Sequence, residues 1–190
     1  PREKADKMIH TIEELLPVAV EMVDIYWDMS MEMGDRIGSW GDDEPAHYLA
    51  STGANDYRLN SQRLRVMLPD GTEAPSFDAH DFANYLQISE SEYSYAGISS
   101  YMGSVVRANS LARINLSESL GTPIADAYRK RFVQTFGKPA HAIMFFDICR
   151  GIELVYALEK ARQMLECDLE HGETEVGYSP KDGVGYGLVE

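Results

Sequence analysis

The stretch that decides the fold runs from Pro139 to His171, PAHAIMFFDICRGIELVYALEKARQMLECDLEH. Met144, Ile148, Val155, Leu158, Leu165 and Leu169 recur in it at helical spacing, and Ala142, Phe145, Phe146, Cys149 and Ile152 widen that stripe until the first half is apolar nearly all round. A helix apolar on every side belongs at the centre of a bundle. Gly137 suits the left-handed cap of a preceding helix and Pro139 suits a first turn, so the spacing predicts one central helix over 139–171, roughly 45 Å long. Its early charges, Asp147, Arg150 and Glu153, follow at three-residue steps and read as a salt-bridge ladder along one edge. Together with His141 and Tyr156 they also form the one candidate pocket that the pattern offers.

Outward from this helix, residues 3–34 carry Met8, Ile12, Leu15, Ala19, Met22, Tyr26, Met29 and Met33 at steps of four and three, which predicts a long amphipathic helix kinked or split at Pro17. On the side opposite that stripe lie Glu14, Glu21, Asp24, Asp28 and Asp35, an acidic row that reads as an interaction face. Pro45 starts a short helix holding His47, Tyr48 and Leu49. Residues 62–77 read as a small β-hairpin turning at Pro69-Asp70-Gly71, with a helix from Asp56 to Leu68 as the competing assignment.

Ser89 with Glu92 resembles a capping box, and Ile98, Met102, Val105, Ala112 and Leu116 keep a helical period behind it. The small residues Gly97, Ser100, Gly103 and Ser104 would then leave a shallow helix face suited to a close crossing or a symmetric homodimer. Thr122-Pro123 opens another helix, whose Arg129, Lys130 and Arg131 are expected to complement its C-terminal dipole. The expected fold is therefore mainly α, a single-domain bundle over 1–172 followed by a glycine-rich irregular tail over 173–190.

The 190 residues carry a formal charge of −14, which disfavours a broad phosphate-backbone contact. The acidity is uneven, with thirteen acids against four bases in residues 1–56 and six bases against two acids in 107–138. Cys149 and Cys167 stand 18 positions apart on one predicted helix, about 27 Å, and cannot bridge each other there. Both are expected to be inert thiols in a reducing, cytoplasmic setting. No apolar run reaches about 18 residues and none follows a basic start, so neither a membrane span nor a signal peptide is expected.

P-loop, G-x-S-x-G, H-E-x-x-H and C-x-x-C motifs are absent from the sequence. Glu44-Pro45-Ala46-His47 has di-iron ligand spacing, but no second pair accompanies it. No cofactor or metal is therefore expected. Residues 79–106 could form a helix-turn-helix DNA-binding regulator, although Glu90 and Glu92 would place negative charge where base contacts need donors. The leading expectation is a non-catalytic, acidic protein–protein interaction or regulatory protein that docks a basic partner, with mimicry of nucleic-acid charge as one form of it. A small-molecule binder or enzyme with its site near His141, Asp147 and Arg150 is the alternative.

Overall fold

The computed structural model describes residues 2–34, 36–39, 46–51, 53, 55, 57, 63–167 and 177–184. In chain order the elements are α1 (Arg2–Met33), α2 (Arg36–Ser39), β1 (His47–Ala50), β2 (Arg63–Met67), β3 (Phe77–Asp78), a 3₁₀ turn (Ala79–Asp81), α3 (Phe82–Tyr85), β4 (Leu86–Ser91), β5 (Ser94–Tyr101), β6 (Ser104–Arg107), α4 (Ser110–Leu116), α5 (Pro123–Phe136) and α6 (Phe145–Glu166). The strands form one six-stranded sheet in the order β3-β2-β1-β6-β5-β4. β1 and β6 run parallel and every other neighbour pair is antiparallel. This mixed sheet overturns the expectation of an all-helical bundle.

The difference is concentrated in 86–107, where the spacing predicts a long helix behind the Ser89 cap and three strands stand instead. Leu86–Ser91 and Ser94–Tyr101 pair from Leu86 opposite Tyr101 outward to Ser91 opposite Ser94. Met102 and Gly103 both have positive φ, 51° and 83°, the requirement of a tight two-residue hairpin turn into β6. Gly103 is thus a turn residue, and a Cβ built there meets nothing within 4 Å. Neither the shallow helix face of Gly97–Ser104 nor a helix-turn-helix over 79–106 exists. From Arg63 on, the strand reading does describe the chain, since Arg63 and Leu64 pair with Asp78 and Phe77, while residues 56 and 58–62 lie outside the described residues. His47, Tyr48 and Leu49 stand in a fully buried strand instead of a short helix.

The central helix is α4, not the 139–171 segment, because all seven of its residues are buried. It is covered by β1 on one side and by α6 on the other. α6 begins only at Phe145, after a cis Lys138–Pro139 bond and an irregular linker, and ends at Glu166. Residues 168–176 lie outside the described residues, and 177–184 have no regular structure. α1 is continuous through Pro17 and packs lengthwise on α6. The close helix crossing is here: a Cβ on Gly151 would stand 2.9 Å from Cγ2 of Val23.

α5 starts at Pro123 behind Thr122, whose side chain makes no capping bond. The cap comes from α6, where the buried Glu159 carboxylate accepts the backbone N–H groups of Ile124 and Ala125 at 2.9–3.1 Å. Negative charge at a helix N-terminus is favourable, so this contact locks α5 to α6. Arg129 and Arg131 are not dipole partners in a last turn. Arg129 is buried and donates to the Ser117 carbonyl, while the Arg131 guanidinium lies 4.0 Å over the Trp27 ring and 3.6 Å from Asp24. Tyr128 donates a hydrogen bond to Asp24 at 2.7 Å. The acidic and basic regions therefore do meet within one chain, at the α1–α5 contact.

Candidate functional site

Polar side chains converge where α4, α6 and β1 meet. Asn109 precedes α4 with φ 83°, and its Oδ1 accepts the Ser110 N–H at 2.6 Å, fixing the helix start. One turn on, Arg113 points at α6 and donates from Nε and Nη2 to both Glu153 carboxylate oxygens, at 2.6 and 2.9 Å. Both side chains are largely withdrawn from solvent, 10% and 17% exposed, so this is a buried bidentate pair. The Tyr57 hydroxyl also donates to Glu153, and Tyr156 donates to the Tyr57 carbonyl at 2.7 Å with the two rings edge to face at 4.8 Å. Burial first, and then the Glu153 charge, push the Tyr57 hydroxyl far above its ordinary range, so it remains a proton donor.

Cys149 lies one turn before Glu153. Complete burial, reinforced by Glu153, raises its thiol well above the ordinary value, so it is a protonated thiol. On the other side, burial pushes Tyr48 up to about 12. The Tyr48 hydroxyl is 2.9 Å from both the Ala140 carbonyl and His141 Nδ1. One hydroxyl has one proton, so both contacts are satisfied together when Tyr48 donates to Ala140 and the His141 Nδ1–H donates to Tyr48. Asn115 grips the Ala140 peptide from both sides at 3.0 and 3.1 Å, and Arg107 donates to the His141 carbonyl at 2.7 Å. The linker into α6 is thereby fixed by three elements.

The predicted site residues separate. His141, Glu153 and Tyr156 belong to this buried network, whereas Asp147 and Arg150 form an exposed pair at 3.5 Å on the outer surface of α6. The ladder stops there, because Glu153 turns inward to Arg113. Of the acidic row, Glu14, Glu21 and Asp28 are exposed, Asp24 is half-buried and engaged by Tyr128 and Arg131, and Asp35 lies outside the described residues. Glu44 does too, and His47 stands on a strand with its Nδ1 buried and unpartnered. Sequence reasoning missed Arg113, Tyr57, Tyr48, Arg107 and Asn115. The usable signal was Arg113 inside Leu-Ala-Arg-Ile-Asn-Leu, a single cation in an otherwise apolar helix that has to find a buried anion.

The fold is shared with a redox enzyme of known structure. The chain superposes with a TM-score of 0.82 on a chain in the crystal structure of NAD+-reducing [NiFe]-hydrogenase in the H2-reduced state, at 20% identity, covering 95% of this chain and 42% of that one. In sequence it is 31% identical over 194 residues to a vhu subunit of the F420-non-reducing hydrogenase from Methanococcus voltae, covering 98% of this chain and 46% of that protein. It is 28% identical to the corresponding vhu subunit from Methanocaldococcus jannaschii, over 98% of this chain and 46% of that protein. Against the NAD-reducing hydrogenase HoxS subunit beta of Cupriavidus necator it is 26% identical, over 95% of this chain and 39% of that protein. The chain spans about half the length, or less, of the curated relatives it matches. No family model matches. Likeness along nearly the whole chain to hydrogenase subunits overturns the expectation of a non-catalytic acidic regulator.

The described residues do not fit a nickel–iron group. Such a group calls for ionised thiolates or imidazoles converging on one point. The sequence has two cysteines. Cys149 is buried as a neutral thiol, and Cys167 is exposed at the far end of α6, about 27 Å away along the helix. Among the described residues the one set of donors close enough to share an ion is Asp78, His80 and Asp81, two hard carboxylates and one imidazole at the surface. No step of metal chemistry is assigned to residues of this chain.

Proposed function

We propose that this chain serves as a scaffold in a hydrogenase-type redox assembly, working in H2 oxidation or its reverse while other parts of the assembly supply the metal donors. The observation that carries this reading is the match over 98% of the chain to a hydrogenase protein, 31% identical, joined to a fold agreement of 0.82. The buried network fits a scaffold role. Arg113 and Glu153 lock α4 against α6 through a pair that tolerates little displacement, and Tyr57 holds its proton beside that carboxylate. Asn115, Tyr48 and Arg107 fix the linker that leads into α6.

The partner in this reading is another protein, and the acidic outer side of α1 favours one with a basic contact surface. No helix among the described residues is long and apolar enough to cross a membrane. A reducing, cytoplasmic setting is part of this reading.

The test uses the native protein isolated with its natural partners. The expected result is H2-dependent reduction of methyl viologen together with bound nickel and iron. A fully assembled native complex that holds neither metal and leaves the dye oxidised under H2 would overturn the proposal.

A further inference from the structure

α1 has two apolar seams, and the fold uses one. At 100° per residue the buried positions Ala5, Ile12, Ala19, Val23, Trp27 and Ser30 fall on one line, facing α6 and α5. About 115° round the helix lies a second line, Leu15, Val18, Met22, Ile25 and Met29. Its members are 40–54% exposed, although they are large and apolar. Their spacing alternates three and four, so 15, 22 and 29 take one heptad position and 18 and 25 the other. This is the geometry of a helix prepared for a second helix.

Charge narrows what that second helix is. Glu14, Glu21 and Asp28 also repeat every seven residues and line one edge of the seam. Glu21 and Asp28 have no hydrogen-bond or ion-pair partner among the described residues, and Glu14 meets only His10, at 3.4 Å within its own helix. An antiparallel second copy would set acid against acid along this edge, and an anionic lipid surface would repel it. An apolar helix with cations on a seven-residue repeat satisfies both features at once.

We propose that Leu15–Met29 is a docking seam for one α-helix of a partner protein, apolar at its heptad core positions and presenting Lys or Arg to Glu14, Glu21 and Asp28. This inference does not depend on the hydrogenase reading, since it concerns a contact and not a reaction.

The probe is a synthetic amphipathic peptide of about four heptads, Leu at the core positions and Lys at the flanking ones, with a control that carries Glu in place of Lys. Fluorescence anisotropy with the full chain should show the Lys peptide binding at least tenfold more tightly than the Glu control at low salt, and the gap should narrow at high salt. Ile25→Glu should weaken binding at least tenfold with an unchanged circular-dichroism melt. Glu21→Lys combined with Asp28→Lys should invert the preference between the two peptides, which keeps the test decisive if Ile25→Glu perturbs the fold. Absent or charge-blind binding overturns the proposal, as does an Ile25→Glu variant that binds like the parent. A parent dimer in sedimentation that Ile25→Glu dissociates also overturns it, because the seam would then belong to a second copy. H2 oxidation enters none of these outcomes.

Discussion

Removing one member of the Arg113–Glu153 pair should be far more damaging than removing both. Glu153→Ala strands a guanidinium whose side chain is 10% exposed, and takes the acceptor from the Tyr57 hydroxyl. An uncompensated buried charge costs about 3–5 kcal/mol. A buried hydroxyl without its acceptor adds about 1–3 kcal/mol, less whatever relaxation lets water reach it. Against a typical total stability of about 5–15 kcal/mol the single change consumes a large part of the margin. For a chain of this size about 1 kcal/mol moves the midpoint by roughly 2–4 °C, so a combined loss of about 4–8 kcal/mol should lower the midpoint by roughly 8–32 °C. Arg113→Met joined to Glu153→Leu keeps volume and removes both charges, and should sit within about 2 kcal/mol of the parent.

The assay is urea unfolding by circular dichroism on the parent, Arg113→Met, Glu153→Leu and the double that combines them, closing a thermodynamic cycle, with Glu153→Ala measured beside it. The singles should sum to at least about 2 kcal/mol more than the double. Additive losses, or a Glu153→Ala variant within about 1 kcal/mol of the parent, would falsify the claim that this pair is buried and mutually dependent.

Gly151→Leu should cost about 1–3 kcal/mol in chemical unfolding, because even a Cβ there stands 2.9 Å from Val23, and Val23→Ala in the same chain should recover part of the loss; equal losses in both backgrounds would mean that α1 does not approach α6 at this point. Glu159→Ala should lose about 1–2 kcal/mol by uncapping α5, and hydrogen exchange at Ile124 and Ala125 should rise ahead of the rest of α5; unchanged protection there would remove the cross-helix cap. Burial lowers the His47 pKa, so the unfolded chain takes up a proton before the folded one does; His47 therefore contributes stability above about pH 6.5 that drains away as pH falls, and His47→Phe should flatten that slope in thermal melts from pH 7 to 5. Native thiol labelling should modify Cys167 quickly and leave Cys149 untouched until denaturant is added; rapid labelling of both would place Cys149 at the surface.

Why so much of the sheet is illegible in the sequence follows from where its strands sit. Period-two alternation appears only when one face is buried and the other wet. β4 and most of β5 are exposed on both faces, so Leu86–Tyr101 has no alternation to show, and the chance spacing of Ile98, Met102 and Val105 imitates a helix. β1 fails in the opposite way. His47–Ala50 is buried on both faces and is too short to be told from a helical turn behind Pro45. β2 alternates and turns at Asp70-Gly71, and its hairpin is legible. α4 is the centre of the molecule yet has only seven residues, two turns, too few for a period to rise above Ser110, Arg113 and Asn115. The longer apolar run in 139–171 therefore claims its place.

The site is half legible for a related reason. Glu153, His141 and Tyr156 are visible as polar groups on an apolar helix and its approach. Their partners lie 40, 93 and 99 residues away in sequence, where no local pattern reaches. A single buried charge can be read from its neighbours, but its partner cannot, because pairing is decided by which faces the topology brings together.

α1 carries the opposite lesson, since its helical pattern is plain in the sequence and still understates the helix. The apolar stripe named from sequence divides in the structure, with Ile12, Ala19, Tyr26 and Met33 against the core and Met8, Leu15, Met22 and Met29 in solvent. The stripe is wider than α5 and α6 can cover. A helix that needs only to join this core has no physical use for the second set, and leaving long methionine and leucine side chains in water forgoes about 25 cal/mol for each Å² left unburied. The surplus width is evidence for a second surface, and the free acids at its edge give that surface a sign.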